Sequence, residues 1–242
     1  MIYLKNISFY HGNVPVIHDI TKYWEMGKSY GIIGANGCGK TTLMRVFAGL
    51  EIPTKGEVIF FDKNIRSISP IALSKKRAML SQKSNVFGNP TARQLINIRL
   101  CNTAKEINIP NFLTDVLEIN HLLDRPVNTL SGGEQQRVHF CRTVFQLMES
   151  DSEFPKDKVL ILDEPFNHLD LKSRKIVIDV YREFVLAGNL GLLIAHDLDI
   201  VNRCCDEILL IKNGRVHREG EPSICLAEDI INDVFDIKSI SK

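Results

Sequence analysis

The sequence predicts an α/β fold built on a parallel sheet, and three observations point to it. Short apolar runs of buried-strand type occur at residues 29–33, 159–162 and 190–195. The first runs directly into a glycine-rich loop and then a helix-spaced segment with Leu43, Val46, Phe47 and Leu50 on one face. From residue 83 to about 128 strand-like runs vanish, and Asn, Pro and helical spacing (Leu95, Ile98; Phe112, Val116, Ile119) mark an inserted helical lobe.

The elements follow in order. Residues 2–10 read as a strand ending in Phe9-Tyr10, and residues 14–24 as a second extended stretch. A third, at 57–61, follows the Pro53-Thr54-Lys55-Gly56 turn, and 78–81 is a further strand ending at Gln82. Ser131 is an N-cap with Glu134 three residues on, a capping box that opens a helix carrying Val138, Cys141, Phe145 and Met148. After the strand at 159–162 comes a helix with Ile176, Val177, Val180, Phe184 and Ala187 on one face. The strand at 190–195 delivers His196. A last strand, 207–212, turns at Asn213-Gly214 into a return strand, and the tail carries short helical pieces.

The bulk properties exclude several classes. The chain has 242 residues, 44% of them hydrophobic, and a net charge of +1, so it can bury a large core and carries no global field for nucleic acid or acidic membrane. No run nears the roughly 18 apolar residues of a membrane span. The start lacks the basic region and long apolar core of a secretory signal, so a cytosolic protein is expected. Six cysteines with no CxxC pair read as reduced, packed thiols. His139 and Cys141 lie two apart on one helix, on different faces, which disfavours a metal pair.

Three stretches carry chemistry. The loop Gly34-Ala35-Asn36-Gly37-Cys38-Gly39-Lys40-Thr41-Thr42 sits between strand and helix, the context that makes a Walker A pattern a prediction. Its glycines let backbone N–H groups turn toward phosphates. Lys40 supplies charge to the β- and γ-phosphates, Thr41 a hydroxyl for Mg²⁺, and Thr42 a contact to the α-phosphate. The strand at 159–162 ends in Asp163-Glu164, where open sheets place ligands. Paired with the loop it reads as Walker B, with Asp163 on Mg²⁺ and Glu164 polarising the attacking water. Leu130-Ser131-Gly132-Gly133-Glu134-Gln135-Gln136-Arg137 puts two glycines in a first helical turn, where they weaken the helix. They make sense if something comes close to the backbone, and a helix N-terminus attracts anions.

With the 130–137 stretch lying between Walker A and Walker B, the sequence resembles the ATP-binding cassette (ABC) ATPases over almost its whole length. The resemblance implies one cassette domain over 1–242: a P-loop NTPase core with a parallel sheet, an N-terminal antiparallel β subdomain, an inserted helical subdomain at 83–145 and a hairpin with short tail at 213–242. It assigns Tyr10 to stacking on adenine, Gln82 to the Q-loop with a contact to the metal, Asn167-His168-Leu169-Asp170 to the D-loop and His196 to the switch histidine. D-loops of the family more often read Ser-Ala-Leu-Asp, so the role of His168 stays open. The resemblance further implies ATP and Mg²⁺ as ligands and a head-to-tail homodimer. In it each nucleotide meets Lys40 and Thr41 of one subunit and Ser131, Gly132 and Gly133 of the other, with Asp170 nearby.

Three features make the chain look like the importer branch for iron–siderophore, haem and vitamin B12 uptake. They are Glu134 to Val138 with the long 146–158 segment, His196-Asp197-Leu198, and Gly220-Glu221-Pro222 with Val234-Phe235-Asp236-Ile237. The lobe, lacking a longer Gly-Arg stretch, looks closer to the B12 importer's ATPase. Membership in that branch implies a separate transmembrane permease, indirectly a periplasmic or extracellular substrate-binding protein, no nucleic acid, and a peripheral place on the cytoplasmic face of the inner membrane. Two other readings stay open: a soluble cassette ATPase without permease, such as an iron–sulfur assembly type, and a tandem-cassette translation factor, which would need a second Walker A motif.

Overall fold

The computed structural model describes residues 1–82, 86, 88–98, 108–150 and 153–237. Parts of the expected helical insertion (83–85, 87, 99–107, with Cys101), of the 146–158 segment (151–152) and of the tail (238–242) lie outside the described residues.

The elements in chain order are β1 (Ile2–His11), β2 (Val14–Trp24), β3 (Ser29–Ile33), α1 (Lys40–Phe47), β4 (Lys55–Phe60), β5 (Lys63–Asn64), α2 (Pro70–Ser74), β6 (Arg77–Leu80), α3 (Ala92–Asn97) and α4 (Asn111–Val116). They continue with α5 (Gly132–Phe145), β7 (Val159–Asp163), α6 (Leu171–Leu186), β8 (Leu190–Ile194), α7 (Leu198–Cys204), β9 (Glu207–Lys212), β10 (Arg215–Gly220), α8 (Pro222–Cys225) and α9 (Glu228–Val234). The chain forms two compact units, one of residues 1–69 with 192–242 and one of residues 70–191.

In the first unit, β2, β1, β4 and β5 form an antiparallel sheet in that order. Its register pairs Ile2 with Trp24 and with Phe60, and all three side chains are buried. A second group is mixed: β3 runs parallel to β9, and β9 turns at Asn213-Gly214 into antiparallel β10. All five residues of β3 are buried, as the unbroken apolar run requires for a strand covered on both faces. The helix α1 buries Leu43, Met44, Val46 and Phe47, and Phe47 packs edge-on against Trp24 at 4.9 Å. Leu50, expected on the same face, is exposed because the helix stops at Phe47.

In the second unit, β6 and β7 pair in parallel, Leu80 beside Leu162, so Asp163 ends β7 beside the end of β6 that Gln82 follows. The stretch expected to be helical holds α3 and α4, each of six residues, with short 3₁₀ turns between α4 and α5. Helices of less than two turns bury few positions: Leu95, Ile96 and Leu113 are inside, whereas Ile98 and Val116, placed by helical spacing, face out. The longer α5 buries Val138, Phe140, Cys141, Val144 and Phe145. Its His139 is buried as well, and that burial holds the imidazole down at about 4, with Arg142 adding to the effect. The helix α6 buries Val177, Val180, Tyr181 and Phe184, with Ile176 and Ala187 at its margins.

Candidate functional site

In the first unit, β3 ends directly at the glycine-rich loop. Gly34 is glycine because of packing: a Cβ there would lie 2.2 Å from the Ile211 carbonyl oxygen and 2.7 Å from Cys38 Sγ. Gly39 opens α1 at φ 105°, where a side chain is strained, and a Cβ would also meet Ile17 and Val16. No side chain therefore caps α1, and a helix start of this kind attracts anions through its first-turn N–H groups and dipole. Lys40 is buried and turns back into the loop, its Nζ donating to the carbonyls of Gly34 at 2.7 Å and Ala35 at 3.0 Å. The ammonium thus stands inside the same loop whose N–H groups would receive phosphate. The Cys38 N–H closes a turn on Ala35 O at 3.3 Å, and burial pushes the thiol up despite the opposing pull of Lys40.

A cavity of about 420 Å³ flanks the loop, lined among others by Val14, Val16, Ala35, Asn36, Gly37 and Cys38. Neither Tyr10 nor Lys40 lines it. Tyr10 is partly exposed near the end of β1, its N–H held by Thr54 Oγ1 at 3.1 Å. Thr41 and His196 are exposed, and Thr42 is half-buried. The residue after His196, Asp197, caps α7 by accepting the Asp199 and Ile200 N–H groups, which fixes the chain just beyond the histidine.

In the second unit, β7 carries Asp163 buried at its C-terminal end. Glu164 follows at φ 53°, a conformation rare outside glycine and strained for a non-glycine side chain. Two side-chain amides hold its carboxylate on the same oxygen: Gln82 Nε2 and Asn167 Nδ2 each donate to Glu164 Oε2 at 2.8 Å. Asn167 also closes the turn with its backbone N–H on Glu164 O at 3.4 Å. From α5, Gln136 Nε2 donates to Pro165 O at 2.9 Å and ties that helix to the same turn.

The capping box forms as the sequence predicts. The Glu134 N–H donates to Ser131 Oγ at 3.3 Å, and the Ser131 N–H donates to Glu134 Oε2 at 2.8 Å. That backbone N–H chiefly holds the Glu134 carboxyl below its usual range. The two glycines answer to the chain itself. A Cβ on Gly133 would lie 3.0 Å from the His168 carbonyl oxygen, and one on Gly132 would lie 3.3 Å from His168 Cβ. The close approach inferred from the glycines is thus made, within this chain, by the His168 segment, which turns there at φ 65°. Asp170, placed near the nucleotide by resemblance, caps α6: Ser173 N–H donates to its Oδ1 at 2.7 Å, and this bond chiefly lowers the Asp170 carboxyl.

The structure therefore groups Gln82 with Glu164, and Ser131–Gly133 with the D-loop. The sequence placed Asn167 in the D-loop and Gln136 in the 130–137 stretch without giving either a contact to this turn; the Asn167 departure from the common serine was the signal available. Among the described residues no three His, Cys, Asp or Glu side chains gather as a metal cage. Mg²⁺ at phosphate sites takes one or two protein oxygens and the phosphates themselves, for which the buried Asp163 carboxylate is a fitting donor.

Comparison with known proteins decides the family. The ABC transporter family matches residues 17–167. The chain belongs to the ABC transporter family. As a cassette of that family it binds ATP and hydrolyses it in the service of transport. It is 33% identical to the hemin import ATP-binding protein HmuV of Rhodopseudomonas palustris, over 95% of this chain and 88% of that one. It is 30% identical to the protein of the same name from Pseudomonas aeruginosa, over 98% and 93%. Among solved structures, an ATP binding subunit of an ABC transporter shares the fold with a TM-score of 0.78 at 21% identity, covering 100% of this chain and 95% of that one. A part of the ABC transporter complex cbiONQ from Clostridium perfringens matches with a TM-score of 0.72 at 26% identity, covering 96% and 92%. The α/β P-loop NTPase fold of the ABC cassettes is that of this chain.

Proposed function

We propose that this chain is the ATP-hydrolysing subunit of an importer for haem, working on a separate membrane permease. The likeness to hemin import ATP-binding proteins at 30–33% identity over nearly the full chain carries the reading. Among the described residues no helix is long and apolar enough to cross a membrane, so the translocation path would belong to the permease. The cassette would sit peripherally on the cytoplasmic face of the inner membrane.

In this reading Gly34 to Thr42 cradle the phosphates, Lys40 exchanges its loop carbonyls for phosphate oxygens, and Tyr10 stacks on the adenine. Thr41, Gln82 and Asp163 hold Mg²⁺, which neutralises phosphate charge when bound. Glu164 orients water for in-line attack, and His196 contacts the γ-phosphate. Phosphoryl transfer asks mainly for positioning and charge neutralisation, which fixed N–H groups, a lysine and a held carboxylate supply. Ser131, Gly132 and Gly133, with Asp170 beside them, serve the nucleotide of a head-to-tail partner. Their arrival on closure couples ATP binding to movement of the permease.

Two measurements test the proposal. Glu164→Gln is expected to bind MgATP and dimerise while turnover drops at least a hundredfold; full turnover removes Glu164 from its role. Uptake assays with haem, a ferric siderophore and cobalamin should show ATP-dependent accumulation of haem. Uptake of one of the other two alone overturns the substrate.

A further inference from the structure

We propose that Asn167 is a positioning residue for ATP hydrolysis, acting by holding the Glu164 carboxylate. The inference rests on the reading of Glu164 as the group that orients water. Glu164 comes at the end of β7 with φ 53°, so its backbone is set by the turn and its side chain leaves in an uncommon direction. A glutamate has three side-chain torsions, and a carboxylate displaced by an ångström loses its alignment with an attacking water. Asn167 removes that freedom locally. Its Nδ2 donates to Glu164 Oε2 at 2.8 Å while its backbone N–H bonds Glu164 O at 3.4 Å, closing a ring around Pro165 and Phe166. Pro165 stiffens the turn, and buried Phe166 anchors it.

Gln82 donates to the same oxygen at 2.8 Å, but from the end of another strand. Asn167 moves with Glu164, whereas Gln82 holds it only while the two strand ends keep their spacing. Both donors converge on Oε2. Two donors on one oxygen restrain the direction of the whole carboxylate, as alignment with an attacking water requires. A serine at this place, as in the more common D-loop sequence, is shorter than asparagine and does not carry an amide N–H to that distance.

The test is kinetic and uses the full chain with MgATP. Asn167→Ala is expected to lower kcat about tenfold with KM for ATP unchanged, as for an interaction that serves the transition state and not ground-state binding. Asn167→Asp keeps the shape but replaces the donor by a negative charge facing Glu164, and should fall further than Asn167→Ala. A purely space-filling role predicts wild-type rates for it. In the Glu164→Gln background, single-turnover hydrolysis should show no added loss from Asn167→Ala, because the two act as one unit. Wild-type kcat in Asn167→Asp, a raised KM at unchanged kcat, or an equal loss in both backgrounds overturns the proposal. If Glu164→Gln itself turns over normally, it is the reading of Glu164 that fails, and the two failures are told apart.

Discussion

Replacing Ser131 by aspartate separates its role as helix cap from the proposed one as ligand to a partner's nucleotide. The cap should survive, because aspartate and serine are equally good N-caps. The new carboxylate stands near Glu134, whose Oε2 already accepts the Ser131 N–H at 2.8 Å. At an exposed helix end that repulsion is about 1 kcal/mol, and the helix dipole offsets about 0.3–1 kcal/mol of it. Net stability should change by less than about 1 kcal/mol, which is about 2–4 °C in Tm for a chain of this size. Against a phosphate the same charge acts in a closed interface. At about 4 Å and an effective dielectric near 20 it costs about 4 kcal/mol at each of the two nucleotides of the homodimer, so ATP-driven dimerisation should weaken by more than about a thousandfold. The assay is gel filtration of Glu164→Gln with and without Ser131→Asp over a range of MgATP concentrations. Melting curves and binding of a fluorescent ATP analogue to the monomer run beside it. Dimerisation at the same ATP concentration as the parent would falsify the two-subunit reading of this stretch. Loss of nucleotide binding by the monomer would refute it from the other side.

Two more expectations bear on the scaffold. His139 is buried and neutral in the folded chain, with its pKa lowered to about 4 from 6.5. Above pH 6.5 it is neutral folded or unfolded and costs nothing; below that the unfolded chain takes up the proton first. Stability should fall as pH drops from 6.5 toward 4, by about 2 kcal/mol at pH 5. Urea titrations at pH 7 and 5 read it, and His139→Leu should remove most of the slope; an unchanged slope excludes His139 as its source. Gly191→Ala places a Cβ 2.3 Å from Tyr181 Oη and 2.6 Å from its Cζ. Overpacking of this kind costs about 1–3 kcal/mol. A thermal melt should show the drop, and an unshifted Tm would mean that the α6–β8 packing yields more easily than the distances imply.

The parts of the site that were legible in the sequence are those made by neighbours in the chain. β3, its glycine loop and α1 follow from one apolar run, a few glycines and a helical period. The capping box follows from two residues three apart. The short helix α7 carried no long period and was not expected; its start is set by Asp197, a cap that only the hydrogen bonds reveal. Ile98, Val116 and Leu50 were put in helical spacing with apolar neighbours, and the short helices leave all three exposed.

The chain order of Lys40, Ser131, Asp163 and His196 is what the sequence by itself determined, together with the family it marks. Local backbone preference and burial period write those features residue by residue. Tertiary structure alone decided why Gly132 and Gly133 are glycines, since the His168 segment reaches them only once the chain has folded. It also decided that Glu164 is gripped by Gln82 as well as Asn167. The parallel pairing of β6 with β7 brings those two strand ends together, and no local pattern along the chain records such a pairing.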